Sequence, residues 1–150
     1  MMYRSDSVFT TESAYDANTQ NTELFNKAKD FEKKLKRTQA TAMTPAAWMK
    51  KRMTEEHWYE STFEDRTGLD KMNYSRVQGG VHNFTLRPLV AMGVGLGLDL
   101  NEMEEVLRLG GMSFKPGDKE QEAYKFLFTA FYGQDIDTCN DFLREINVTP

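Results

Sequence analysis

From Thr44 onward the chain is divided at short intervals by paired signals that start and stop helices. A helix leaves backbone N–H groups unpaired at its start and carbonyls unpaired at its end. A hydroxyl or carboxylate before an apolar run, and a glycine after it, therefore mark its limits. Thr44-Pro45 is such a start, a capping hydroxyl followed by proline at the first helical position. It opens a helix through Trp48, Met49 and Met53 to about Glu56. A second helix is expected over Tyr59–Thr67 with Phe63 inward, closed by Gly68, with Leu69 free to plug the core. Asp70 then caps a helix over Lys71–Gln78 that stops at Gly79-Gly80.

The same punctuation continues toward the C-terminus. Thr85 precedes Leu86–Leu96, whose Pro88 lies in the first turn, where proline is tolerated. Asp99 with Glu102 three residues on is a capping-box start for a helix carrying Met103, Val106, Leu107 and Leu109, ended by Gly110-Gly111. Lys115–Asp118 is a turn, and Asp118 caps a helix so rich in Tyr124, Phe126, Leu127, Phe128 and Phe131 that it should be well buried. Asp135–Glu145 forms the last helix, with Ile136, Cys139, Phe142 and Leu143 inward. No stretch alternates as a strand would, and no internal repeat is present, so the class is all-α.

Before Thr44 the character changes. Residues 1–22 are polar, with few apolar anchors, and read as a disordered arm. Residues 23–43 comprise a basic amphipathic helix, running from Thr22 to Arg37, and a linker at 39–43. Leu24, Phe25, Ala28, Phe31 and Leu35 make one stripe, opposite Lys27, Lys29, Lys33, Lys34 and Lys36. Residues 1–56 hold ten Lys/Arg against eight Asp/Glu, and residues 57–150 hold nine against fifteen, so net charges of +2 and −6 add to the overall −4. Any phosphate contact must therefore use local clusters, because the overall field repels nucleic acid.

The run Phe63-Glu-Asp-Arg-Thr-Gly-Leu-Asp-Lys-Met-Asn-Tyr-Ser-Arg-Val-Gln-Gly-Gly80 resembles the helix–turn–helix–glycine signature of Xre-type, lambda-repressor-like domains. Phe63, Gly68, Leu69, Asp70 and Gly79 carry the match, and Thr85–Leu98 and Leu100–Gly111 look like the fourth and fifth helices of such a domain. With the Tyr/Phe-rich helix and Asp137–Leu143, the likeness extends over about Thr44–Val148. It is similar to a largely uncharacterised group from Gram-positive bacteria and their mobile elements. The resemblance implies a five-helix bundle at 44–111, with the N-terminal helical arm before it and a two-helix extension at 112–150 packed on it. It also implies a DNA-binding transcription regulator, acting on double-stranded DNA as a homodimer, in which the helix Lys71–Gln78 enters the major groove.

On that reading Lys71, Met72, Asn73 and Arg76 meet base edges, lysine and arginine suiting guanine and asparagine suiting adenine. Tyr74 and Val77 point into the core, while Arg66, Gln78 and Arg87 are candidate phosphate contacts. The bland alternative is that these side chains form the wet face of an ordinary amphipathic helix. Glu60, Glu64, Asp65 and Asp70 put negative charge where phosphates would lie, and the glutamine that often opens such helices is missing. A competing function is a non-catalytic protein-interaction or nucleic-acid-mimicking module that reuses the fold with an acidic surface. The basic arm helix suits backbone contacts or docking. The aromatic C-terminal helices suit dimerisation or simply completion of the core.

Catalysis is not expected. His57 and His82 are the only histidines, and neither is spaced to pair with Cys139, which reads as a small core residue. No metal or other cofactor is expected, because no histidine pair or acidic loop has metal-ligand spacing. Gly93-Val-Gly-Leu-Gly97 follows no strand, so close helix packing is a better account of it than a nucleotide loop. The single cysteine and the lack of an apolar leader or a spanning segment suit a cytoplasmic protein without membrane contact.

Overall fold

The computed structural model describes residues 14–150, and these residues form eight helices and no strand. They are α1 (Ala14–Thr41), α2 (Pro45–Glu55), α3 (Glu60–Thr67), α4 (Lys71–Gly79), α5 (Leu86–Leu96), α6 (Leu100–Leu109), α7 (Lys119–Leu127) and α8 (Ile136–Glu145). The chain divides into two units, the first ending at Ala42 and the second spanning Met43–Pro150. No helix among the described residues is long and apolar enough to cross a membrane.

Within the first unit, α1 is longer than the sequence pattern suggests. The polar arm read over residues 1–22 lies outside the described residues as far as Ser13, but from Ala14 the chain is already helical. The helix also continues through the start of the segment read as a linker, to Thr41. Polar residues leave no apolar period to detect. A helix nucleated in the Glu/Lys-rich middle nevertheless extends outward, one hydrogen bond per added residue.

The second unit is held at most of its helix starts by side-chain caps, those of Thr44, Asp70, Asp99 and Asp118 as expected and that of Asp135 in addition. The Thr44 hydroxyl accepts from Ala47 N at 3.0 Å, and Asp70, Asp118 and Asp135 accept from Asn73 N, Gln121 N and Thr138 N at 3.1, 3.0 and 2.8 Å. Asp99 and Glu102 form the reciprocal capping box. Thr85 occupies its N-cap position but makes no side-chain cap bond. Thr44 does more than cap: its hydroxyl also donates to the Gly80 carbonyl at 2.8 Å, tying the start of α2 to the end of α4.

α5 is the central element. It packs on α2, α3, α6 and α8, while α2 also packs on α4 and α6, and α3 on α4. Its Leu89, Val90, Met92, Val94 and Leu96 are buried in one core with Met49, Met53, Phe63, Val77, Leu98, Met103, Val106 and Leu107. The glycines of α5 make this closeness possible. A Cβ on Gly93 would sit 2.5 Å from Met103 Sδ and 3.0 Å from the Phe128 ring, and one on Gly95 would sit 2.8 Å from the Arg66 carbonyl oxygen.

The C-terminal helices close the core less completely than their composition suggests. Tyr124, Leu127 and Phe128 are buried, but α7 ends at Leu127, Phe126 is 46% exposed and Phe131 is only partly covered. Phe126, Phe131 and Phe142 instead stack on one another with centroids 4.6–6.0 Å apart. A nine-residue helix has one inward face, so its aromatics cannot all share the interior. The Tyr124 hydroxyl donates to the Thr149 carbonyl at 3.2 Å, tying down the last residues.

Two glycine substitutions separate packing from helix propensity. Gly95→Ala gains about 1 kcal/mol of propensity, yet it should lower stability overall by about 1–3 kcal/mol because a backbone carbonyl blocks the new methyl. Gly79→Ala meets nothing within 4 Å and should raise stability by about 0.5–1 kcal/mol. Urea denaturation of the two variants measures both signs.

Candidate nucleic-acid interface

The turn between α3 and α4 is assembled from local chemistry. Thr67 is buried; its hydroxyl donates to the Phe63 carbonyl at 2.7 Å and accepts from Leu69 N at 3.1 Å. Between them Gly68 takes the left-handed conformation, with φ 72°, which L side chains resist. Leu69 then packs against the core, and Asp70 caps α4. On α4, Val77 is fully buried and Tyr74 leans on Phe63, ring centroids 5.3 Å apart, so this side faces inward.

The opposite side of α4 is open. Lys71, Met72 and Arg76 are exposed, and Asn73 and Gln78 are half-buried. Neither Lys71 nor Arg76 forms an ion pair among the described residues. The Asn73 side-chain amide donates to Asp70 Oδ1 at 3.1 Å, the same oxygen that accepts the Asn73 backbone N–H. Asp70 therefore spends part of its negative charge on the helix start, and Asn73 keeps its amide oxygen and one N–H for another partner.

The other basic candidates do not join this face. Arg87 donates through Nε to the Tyr124 hydroxyl at 3.2 Å and lies 3.9 Å from Glu120. The Tyr124 bond, more than Glu120, raises its already high pKa. Arg66 lines a groove of about 380 Å³ with Asp65, Asp135 and Asp137. Asp135 there has its carboxyl held below the usual range by the Thr138 backbone N–H. Lys51 and Arg52 line a second groove with Trp48, Glu55, Glu105 and Leu109. Arg52 donates to Glu102 at 2.9 Å while its guanidinium lies over the Trp48 ring. Glu102 and Glu120 stand 50 and 33 residues from their arginines, so no local pattern announces them, whereas Trp48 and Glu56, the latter 3.7 Å from Arg52, are helical neighbours four residues away. Glu60, Glu64 and Asp65 on α3 are exposed.

The remaining reactive side chains are placed as follows. His57 is exposed with φ 58°, in the turn after α2, and His82 stacks edge-on against Phe84 at 4.6 Å. Cys139 is fully buried, and burial, with Asp135 adding to it, pushes its thiol up from 9.0 to about 11. Among the described residues no three His, Cys, Asp or Glu side chains converge as a metal site. Comparison with protein-family models, curated proteins and solved structures finds no match for the chain.

The raised thiol has a measurable sign. Folding favours the protonated form, so its contribution is fully present below the unfolded pKa and is lost as pH climbs from about 9 toward about 11. In a comparison of urea midpoints across that window, wild type should decline more steeply than Cys139→Ala, and iodoacetamide should label Cys139 only on unfolding.

Proposed function

We propose that the protein is a DNA-binding regulator of the helix-turn-helix kind, in which α3 and α4 form the motif within a lambda-repressor-like bundle and α4 enters the major groove. The observation that carries this reading is the two-sided character of α4. Val77 and Tyr74 anchor it, while Lys71, Met72, Asn73 and Arg76 stand together on its open side. Lysine and arginine suit guanine O6 and N7, the amide oxygen and remaining N–H of Asn73 suit adenine, and Met72 suits a thymine methyl. One such helix reads only a few base pairs, so the working form is a dimer on a two-fold site. Gln78 lies near the end of the same helix as a phosphate contact. Arg87, engaged with Tyr124 and Glu120, contributes little in this arrangement, while the exposed Arg66 on α3 stays a candidate phosphate contact.

A second reading, an acidic protein-interaction module, draws on a different observation. The exposed Glu60, Glu64 and Asp65 lie beside α4, and the Arg52 and Arg87 charges are already matched by Glu102 and Glu120.

Salt-varied binding to random duplex DNA, followed by selection of enriched sequences, separates the two. With Lys71 and Arg76 on base edges and few other cations free to meet phosphates, log K should fall only shallowly with log salt, at roughly 0.9 per phosphate neutralised. Arg76→Ala should cost about 1–3 kcal/mol on the selected sequence and little on random DNA. No binding at low salt overturns the regulator reading and leaves the interaction module.

A further inference from the structure

α1 carries a seam of its own. Leu24, Phe25, Phe31 and Leu35 are 40–63% exposed on it, the most continuous apolar stripe left uncovered among the described residues. Asn21, Leu24, Ala28, Phe31, Leu35 and Thr38 follow one another at alternating spacings of three and four, which are the a and d positions of three heptads. The helix that bears them has 28 residues and is about 42 Å long at the usual rise. A stripe this narrow and this regular matches the inner face of a two-stranded coil rather than the broad face of a helix lying against a globular body.

We propose that α1 pairs with α1 of a second copy of this chain as a parallel two-stranded coiled coil. The charges flanking the seam choose the occupant and its direction. In the heptad frame Lys27 and Lys34 fall at g and Glu32 falls at e. Parallel strands bring g of one helix beside the following e of the other, which sets Lys27 of each copy against Glu32 of its mate. Antiparallel strands set g against g, and would place these lysines against one another. Asn21 at an a position is the kind of inward polar residue that holds two parallel strands in register. Phe25, at e, is covered on its outer side by the Lys29 ammonium, 4.7 Å from the ring centroid. An anionic lipid surface is a poorer occupant, because Glu32 borders the apolar stripe where the headgroups would lie. This pairing supplies the dimer that a two-fold DNA site requires, but it stands whether or not α4 reads DNA.

Sedimentation equilibrium of the full chain tests it without any DNA. Wild type should show twice the 17.3 kDa chain mass, and Phe31→Lys should be monomeric with the circular dichroism of residues 43–150 retained. Glu32→Lys should weaken the dimer roughly tenfold or more, and Lys27→Glu combined with Glu32→Lys should restore it. Four results overturn the proposal. One is a wild type that stays monomeric at high micromolar concentration. A second is a dimer that survives Phe31→Lys but is lost in Phe126→Asp, which would move the interface to the aromatic C-terminal face. A third is a double variant that remains as weak as Glu32→Lys. The last is monomeric wild type that co-sediments with phosphatidylcholine–phosphatidylserine vesicles.

Discussion

The structure of residues 43–150 depends on how closely other elements approach α5. Gly93 and Gly95 leave bare backbone where Met103, Phe128 and the Arg66 carbonyl press in. Without that bare surface α3 would stand off from the core, and Phe63 and Val77 could not both be fully buried. The pair α3–α4 is therefore held at two points, from beneath by a glycine in another helix and from within by Thr67 and Gly68 at the turn. At both points a backbone group is held directly, by bare glycine at one and by the Thr67 hydroxyl at the other, which fixes the path of the chain into α4.

The distribution of charge follows from the same packing. Two of the basic side chains that the sequence scatters through α2, α3 and α5 are drawn to carboxylates once the helices assemble, Arg52 to Glu102 and Arg87 to Glu120, while Arg66 lines a groove that also holds aspartates. Partly exposed pairs of this kind stabilise little, on the order of 0–1 kcal/mol each. Their larger effect is to remove positive charge from the surroundings of α4. On α4 itself the cations are Lys71 and Arg76, a small field, so recognition on this face would have to draw on shape and base edges as well.

How much of this was legible beforehand depended on range. The caps at Thr44, Asp70, Asp99 and Asp118 could be read because a cap bonds to a residue three positions on, whereas Asp135, read as the first residue of the last helix, is its cap. The inward side of α4 was legible from the spacing of Tyr74 and Val77, and the tight packing of Gly93–Gly97 from the absence of any strand before it. The N-terminal reach of α1 was not, because residues 14–22 offer no apolar period. Nor was the partial exposure of Phe126 and Phe131, since hydrophobicity says that a ring seeks cover but not whether a given face is already full. The pairing of Arg52 with Glu102 and of Arg87 with Glu120 belongs to the assembled fold, and only the fold reveals it.

The hydroxyl of Thr44 joins two of these themes. It lies two residues after the end of the first unit, and it holds at once the first turn of α2 and the carbonyl of Gly80, the residue that caps α4. A force carried along the chain from the preceding helix thus arrives at a single side chain that fastens both helices, 36 residues apart in sequence. Strain there would be felt at the far end of α4 before it reached the core. Loss of this one hydroxyl would leave the Ala47 N–H and the Gly80 carbonyl without their partner together, so the two helix ends share a single fastening.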